Sequence, residues 1–307
     1  MSTSRVAGGL ARESAPARRR RELLPYVFLA PAVVTLLVIT VYPISFGLVI
    51  SLFHWELTAR APEFVGLANF GRAFTEPELV HSIKLTVAFT LISVTFSFLL
   101  GLLIALLLNR PFLGNRQARS LILLPMMMSP IVVGFIFQIM FHADYGVINY
   151  LLKDVFHLID RKVVWLAEPY SALGTLIVTD VWLGIPFVAL VLLAGLQSLD
   201  QEPLDAAKVD GASRWGTFRY VVWPLLKNPI MIAITIRTIV AARVFDIIYT
   251  LTEGGPAGFT EVLSVKAFQQ GLQFFNVGYG SAMAILLVAV TLALVAFFFK
   301  LFDWMTG

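Results

Sequence analysis

The sequence contains no cysteine and little charge. The absence of Cys among its 307 residues excludes a disulfide framework, a thiolate metal site and a cysteine nucleophile. Asp, Glu, Lys and Arg make up 14% of the chain, against roughly 25% in soluble domains. No phosphate-binding GxxxxGK[ST] motif, no HExxH motif and no nucleophile elbow occurs. The sequence therefore indicates that this chain is not an enzyme and does not itself hydrolyse ATP.

Histidine is also scarce and scattered. The four histidines, His54, His81, His142 and His157, fall singly in predicted loops, without an acidic companion at metal-ligand spacing. We therefore expect no metal site. The run of methionines at 126–128 lies in an apolar segment between two prolines. It is more typical of packing or of the lining of a gate than of soft-metal binding.

Long apolar runs dominate the rest of the chain. Apolar residues make up 58%, and the mean hydropathy is +0.83. Six runs approach the roughly 20 residues that an α-helix needs to cross the hydrocarbon core of a bilayer. These predict an all-α membrane protein with spans at about 26–52, 85–108, 121–141, 172–196, 229–250 and 281–302.

Basic residues predict the orientation. Residues 1–25 form a basic tail that ends in Arg18–Arg21, and we expect its start to be disordered. The apolar run that follows is too long for a signal peptide and indicates a retained first span. With both termini in the cytoplasm, 14 Lys and Arg residues fall on the inner side and 7 on the outer side. This bias agrees with the positive-inside rule, and it explains the net charge of +4 without nucleic acid.

The polar loop at 200–223, between the fourth and fifth spans, has the pattern of two short helices. Asp200 is suited to cap the first, and Gly211 to end it in the left-handed conformation. Ser213 is suited to cap the second, where Trp215, Phe218 and Val222 would share one face. Its small Ala206 and Ala207 allow another protein to approach the backbone. The pattern predicts a docking loop.

The same loop resembles the EAA loop of ABC-importer permeases. The residues that carry the resemblance and its coupling role are Asp205, Ala206, Ala207, Asp210, Gly211, Ala212, Phe218 and Pro224. In that family the loop is a cytoplasmic coupling helix held in a groove of the ATPase subunit. Asp205 stands where the family usually has Glu, which keeps the charge but shortens its reach.

Other segments resemble the carbohydrate-uptake permeases of the maltose and glycerol-phosphate type. The similarity extends over about 26–304, and Thr252 with Gly254-Gly255-Pro256 is the most characteristic element. The resemblance implies a type I importer permease in the bacterial plasma membrane. It also implies an ATPase dimer that carries ATP and Mg, a second permease subunit, an extracytoplasmic solute-binding protein, and no cofactor on this chain. Glu253 and the charge-rich fifth span depart from the family pattern.

Charged residues inside predicted spans are candidates for the solute pathway, because such charges are costly unless they pair or face a cavity. We predict a pathway that combines charged and aromatic side chains, as a sugar requires. Its candidates are Asp180, Trp182, Arg243, Phe245, Asp246 and Tyr249. Arg237 points to another face and is assigned a structural or gating role. The alternative is that Arg243 neutralises Asp246 and that Asp180 pairs with a partner subunit.

The function predicted is the permease subunit of an ATP-driven importer of a sugar or sugar-like solute. One alternative is a permease of another ABC branch, for amino acids, phosphate or phosphodiesters. The other is an ion-coupled secondary transporter, although no inverted repeat is evident. The solute, its charge and the choice between homodimer and heterodimer stay open at this point.

Overall fold

A computed structural model describes residues 15–58 and 61–306. The chain divides into two units, residues 1–49 and 50–307. The disorder predicted at the start of the basic tail concerns residues 1–14, which lie outside the described residues. The remainder of the predicted tail is helical, because the residues after Ala15 are mostly strong helix formers.

The first unit is a single helical segment. Helix α1 (Ala15–Leu36) continues through a π-helical stretch (Leu37–Val41) into α2 (Tyr42–Ile50). Residues Tyr26–Ile50 are long and apolar enough to cross a membrane. The helix thus begins 11 residues before the predicted span.

The second unit is also helical, apart from a small hairpin of β1 (Phe53–His54) and β2 (Glu63–Phe64), in which Phe53 pairs with Phe64. Its first half contains the helices α3 (Ala68–Thr75), α4 (Pro77–Leu108), α5 (Asn115–Ile122), α6 (Leu124–Met127), α7 (Pro130–Met140), α8 (Val147–Asn149) with a π stretch (Tyr150–Val155), and α9 (Pro169–Gln197). The remaining elements are α10 (Gln201–Val209), α11 (Arg214–Thr217), a π stretch (Phe218–Val222), α12 (Trp223–Leu225), α13 (Lys227–Ala242), α14 (Asp246–Leu251), α15 (Leu263–Phe268), a π stretch (Gln269–Gln273) and α16 (Val277–Thr306).

Among the described residues, four helices could each cross a membrane alone, and two bent helix pairs could add two further spans. The pair 115–127 and 130–140 bends by 97°, and the pair 214–225 and 227–242 by 67°. At the first bend, Met128 and Ser129 are extended, as is usual directly before a proline such as Pro130. The six-span fold is therefore confirmed when each bent pair counts as one span.

The fifth predicted span is not one helix. Helix α13 ends at Ala242, residues 243–245 are not helical, and α14 begins at Asp246. The prediction of a continuous span at 229–250 was wrong. The segment that breaks contains neither Gly nor Pro, so no local signal marks the break.

Helices α4, α9 and α13 form the centre of the second unit, and α16 packs against α13. Gly101 allows α4 and α9 to come close, because a Cβ there would lie 2.7 Å from the Cγ1 of Val188. One apolar cluster includes Leu108, Leu196 and Phe302 at one end of these helices. A second includes Phe89, Leu176 and Ile248 at the other end. The charged groups described below lie between these two apolar layers.

Polar contacts tie down the connections between helices. Asn69 donates through Nδ2 to the carbonyls of Ser51 and Phe53, both at 2.9 Å. Lys266 bridges Glu78 and Glu261 at 2.9 Å each. Burial lowers the pKa of Lys266, but the hydrogen bonds to Glu261 and Glu78 outweigh it and raise the pKa overall. The loop after α14 is thereby held against the start of α4.

Candidate functional site

A buried ion pair joins three helices at the centre of the second unit. Arg237 of α13 forms an ion pair with Asp180 of α9, and both side chains are buried. The Nε of Arg237 donates to the hydroxyl of Ser97 in α4 at 3.1 Å. A terminal nitrogen of Arg237 also donates to the carbonyl of Asp180 at 3.1 Å. The guanidinium thus links α4, α9 and α13, and Asp180 has its partner within the chain.

Gly184 makes room for this guanidinium. A Cβ at Gly184 would lie 2.3 Å from the Nε of Arg237, whereas a Cβ at Gly174 in the same helix would meet no atom within 4 Å. We expect Gly184→Ala to destabilise the purified chain by about 1–3 kcal/mol, because the buried pair must shift. Gly174→Ala should stabilise it by up to about 1 kcal/mol through helix propensity. Thermal unfolding in detergent measures both, and equal midpoints for the two variants would contradict the assigned packing.

The ion pair lines a cavity of about 410 Å³. Helices α6, α7, α9, α13 and α14 all contribute to its wall. Four ionisable side chains line it: Asp180, Arg237, Arg243 and Asp246. The other lining residues are Met126, Met128, Pro130, Leu183, Gly184, Phe187, Ile236, Val240, Val244, Phe245 and Ile247. The lining combines two carboxylates and two guanidinium groups with apolar walls.

The structure brings together four of the six residues predicted for the solute pathway. Asp180, Arg243, Phe245 and Asp246 line the cavity, and Trp182 and Tyr249 do not. The indole of Trp182 packs against Phe137, with ring centroids 5.4 Å apart. The separation of Asp180 from Trp182 follows from helix geometry, because residues i and i+2 do not face the same way.

The break after α13 separates two charged residues that line the cavity, Arg243 and Asp246. Arg243 is exposed and Asp246 is half-buried. They do not occupy consecutive turns of one helix, because residues 243–245 interrupt it. Within residues 61–306, neither side chain makes an ion pair or a hydrogen bond. The alternative that they neutralise each other therefore finds no support in the geometry, and both remain available to a ligand.

Aromatic rings extend the cavity wall behind Phe245. Its ring stacks on Tyr249, with centroids 5.1 Å apart and planes 18° apart. Phe268 of α15 packs against Phe245 at 4.8 Å. The Tyr249 hydroxyl accepts a long hydrogen bond of 3.4 Å from Gln273. Tyr249 therefore supports the lining residue from behind and does not reach the cavity itself.

The predicted docking loop folds as two short helices, α10 and α11–α12. Helix α10 ends at Val209, and Gly211, two residues further on, has φ of +73°. The amide of Gly211 donates to the carbonyl of Lys208 at 3.1 Å, and that of Ala212 donates to Ala207 at 2.9 Å. This pair of bonds is a Schellman motif. Ser213 caps the next helix by accepting from the amide of Gly216 at 3.1 Å.

Two details of the loop differ from the sequence prediction. Asp200 occupies the N-cap position of α10, but its side chain accepts no backbone hydrogen bond there. A π stretch at Phe218–Val222 interrupts the second helix, which was expected to be a regular α-helix with Trp215, Phe218 and Val222 on one face. Phe218 instead contacts the rings of Trp215 and Trp223, at 5.7 and 6.1 Å.

The loop presents an exposed surface. The side chain of Asp205 is 64% exposed and pairs with Lys208 at 2.8 Å. Ala206 is exposed and Ala207 is buried. Val209, Trp215 and Tyr220 are 87, 71 and 79% exposed. Large apolar side chains at this exposure on a rigid loop are typical of a protein interaction site.

Comparison with known proteins agrees with this geometry. Residues 97–304 match the family described as "Binding-protein-dependent transport system inner membrane component". The chain is 37% identical to the trehalose/maltose transport system permease protein MalF of Thermococcus litoralis, over 92% of this chain and 94% of the relative. It is 36% identical to the sulfoquinovosyl glycerol transport system permease protein SmoG of Agrobacterium fabrum, over 91% of this chain and 90% of the relative.

A solved structure shows the same fold. A chain from the crystal structure of a bacterial ABC transporter involved in the import of alginate, an acidic polysaccharide, superposes with a TM-score of 0.79. It is 23% identical, and the match covers 94% of this chain and 98% of the other. The resemblance inferred from the sequence is thus confirmed. The chain belongs to the family of inner membrane components of binding-protein-dependent transport systems.

Proposed function

We propose that this chain is the permease subunit that carries a sugar or sugar-like solute through the cavity lined by Asp180, Arg237, Arg243 and Asp246. The cavity is the observation that carries the proposal. Asp180 and Arg237 satisfy each other, which leaves Arg243 as a donor and Asp246 as an acceptor for a ligand. Phe245, which lies between these two residues in the sequence, adds an aromatic ring to the cavity wall. Planar polar groups beside an aromatic face suit a polyhydroxyl solute.

The balance of charge favours a neutral solute. The four ionisable groups that line the cavity carry two formal positive and two formal negative charges. The relatives named above transport trehalose and maltose in one case and sulfoquinovosyl glycerol in the other, by their names. These names support a glycoside as the solute class, over an amino acid or phosphate. Sulfoquinovosyl glycerol carries a sulfonate, so the preference for a neutral solute depends on the cavity charges alone.

The partners follow from the family. We propose that a dimer of ATPase subunits, with ATP and Mg, docks on the loop of Asp205–Ala212 and Phe218–Pro224. A second permease subunit would complete the pathway, and an extracytoplasmic binding protein would deliver the solute. This chain would hydrolyse no ATP itself. The exposed Val209, Trp215 and Tyr220 support the docking role. Copurification from mild detergent tests it, and recovery of the tagged chain without an ATPase would contradict it.

The orientation is part of the proposal. The docking loop must face the cytoplasm, where ATP is present, and the basic bias of the inner loops supports this. Both termini would then be cytoplasmic. Because the chain has no native Cys, single cysteines at Lys208 and Asp154 can be labelled with an impermeant maleimide. Cells should protect the first and expose the second, and the reverse pattern would refute the orientation.

Variants of the cavity test the pathway. We expect Asp246→Asn to raise the solute concentration for half-maximal uptake by about tenfold or more, because a hydrogen bond to a charged group is worth about 1.5–3 kcal/mol. Asp154→Asn, an exposed substitution of the same kind in an outer loop, is the matched control. Trp182→Ala should leave the apparent affinity unchanged, since Trp182 lies outside the cavity wall. Uptake is measured with labelled trehalose and maltose in the assembled transporter.

Equal affinity in Asp246→Asn and in the parent would remove Asp246 from the pathway. A loss in Trp182→Ala equal to that in Asp246→Asn would instead place the pathway on the other side of α9. Membrane abundance of every variant is measured in parallel, so that a folding defect is not read as a loss of affinity.

A further inference from the structure

The turn between α4 and α5 carries a second, strongly basic cavity. It has a volume of about 460 Å³ and is distant in sequence from the residues of the solute pathway. Three arginines line it, Arg110, Arg116 and Arg119, together with Asn109 and Asn115. No Asp or Glu is among its lining residues. We call the segment 109–119 the arginine turn. Neither the docking loop nor the pathway explains it.

Two of the arginines have no internal partner. Arg110 and Arg116 are exposed. Across the described ranges 15–58 and 61–306, their guanidinium groups make no ion pair and no hydrogen bond. By contrast, Lys208, Lys227 and Lys266 each have a carboxylate partner at 2.8–2.9 Å. The arginine turn therefore offers uncompensated positive charge, which is what an anionic ligand requires.

The third arginine makes the turn rigid. A terminal nitrogen of Arg119 donates to the carbonyl of Leu108 at 2.9 Å, and Asn115 donates to the same carbonyl at 2.9 Å and to that of Arg110 at 2.7 Å. With its amide oxygen turned toward Arg119, Gln197 of α9 also accepts at 2.9 Å. The bonds to Leu108 satisfy the last carbonyl of α4. They thereby offset the negative end of the helix dipole, which would otherwise repel an anion.

The position of the turn indicates where the anion comes from. Leu99, Leu103 and Leu107 follow one another at intervals of four on α4, and they are 52, 53 and 53% exposed. This leucine stripe leads directly to Arg110. Beyond it, Phe112 is 48% exposed and Leu113 is fully exposed. Apolar surface thus borders the basic cavity along the helix and across the turn, as in an amphipathic ligand site with an anionic head and an apolar tail.

We propose that the arginine turn binds the phosphate headgroup of an anionic phospholipid. The phosphate lies at Arg110 and Arg116, and an acyl chain lies along the leucine stripe. Free inorganic phosphate shares the headgroup chemistry, but it would make no use of the stripe. Basic pockets at the ends of transmembrane helices are suited to anionic lipid headgroups. The inference does not depend on the identity of the transported solute.

Lipid retention by the full-length chain tests the proposal. The tagged chain is purified from membranes with its copurifying subunits and is exchanged into vesicles of phosphatidylcholine with or without phosphatidylglycerol. After mild detergent extraction, bound lipid is measured by native mass spectrometry. We expect phosphatidylglycerol to be retained over phosphatidylcholine, and Arg110→Gln with Arg116→Gln to weaken this retention by about tenfold. Both substitutions are at exposed positions, so the fold should not change.

The matched control removes two positive charges from the ends of two other helices. Lys300→Gln and Lys227→Gln together remove two positive charges near the end of α16 and the start of α13, and retention should stay as in the parent. Leu103→Ser with Leu107→Ser should weaken retention while leaving the arginines in place. Added inorganic phosphate should not displace the lipid.

Four results would overturn the proposal. They are equal retention of the two lipids by the parent, an equal loss in the lysine control, retention unaffected by the leucine changes, and displacement of the lipid by inorganic phosphate. The last result would assign the cavity to a free anion.

Discussion

Replacing Arg237 by alanine is expected to destabilise the second unit by about 3–5 kcal/mol, because the carboxylate of Asp180 would stay buried without its partner. The Asp180 side chain is 5% exposed, so its carboxylate gains little solvation from bulk water. The hydroxyl of Ser97 would also lose its donor. In detergent, the midpoint of thermal unfolding should fall by about 10 °C. Asp180→Ala should have an effect of similar size, since it leaves Arg237 unpaired.

The double variant separates pairing from packing. Asp180→Leu with Arg237→Met replaces the pair by apolar side chains, and such replacements are often close to neutral. It should therefore unfold at a higher temperature than either single alanine variant. Arg243→Gln is the control, because Arg243 is exposed and has no ion pair within the described chain. If Arg237→Ala and Arg243→Gln unfolded at the same temperature, the buried ion pair would not be what holds the three helices together.

Replacing Gly211 by valine is expected to reduce uptake by about tenfold while the subunit still inserts at a normal level. Gly211 has φ of +73°, and a left-handed conformation costs a residue with a Cβ about 1–2 kcal/mol. That cost is enough to shift the equilibrium between the native conformation of this short loop and its other conformations by about tenfold. A Cβ at this position meets no atom within 4 Å, so the effect is on the backbone and not on packing. Uptake and membrane abundance are measured together.

Two further variants at Gly211 separate the effect of backbone strain on uptake from the effect of an added charge. Gly211→Asn should retain most uptake, because asparagine enters the left-handed region more readily than other residues. Gly211→Asp has similar backbone freedom, so a loss of uptake in this variant reports the added charge against a docked partner. Normal uptake in both the valine and the aspartate variants would remove the coupling role from this loop. Reduced insertion would instead mean that the residue serves folding.

The docking loop could be predicted because its signals are local. A glycine that ends a helix and a serine that starts the next act on backbone groups within three to five residues. The structure places Gly211 and Ser213 in those positions. The π stretch at Phe218–Val222 was not predicted, since apolar spacing alone does not distinguish it from an α-helix.

The pathway could be predicted only in part. Charged residues within spans mark a site because of their cost, and this identified Asp180, Arg243 and Asp246. Arg237 was expected to face away from Arg243, but both line the same cavity, and its pairing with Asp180 could not be read from the chain. Trp182 was grouped with Asp180 because the two lie at similar depth in the span, but residues i and i+2 of a helix face different ways. The break at 243–245 has no glycine or proline to announce it.

The sequence by itself determined the class of protein, its long apolar helices, the two-helix form of the loop at 200–223 and the charged residues that are candidates for function. Each depends on composition or on signals a few residues apart. Only the tertiary structure decided that Arg237 pairs with Asp180, 57 residues away, and that Gly184 makes room for it. It also decided that Arg243 and Asp246 make no ion pair with any residue of 15–58 and 61–306. It also decided which arginines at 110–119 lack partners. Pairing of buried charges depends on which helix faces meet, and a single sequence does not specify those contacts.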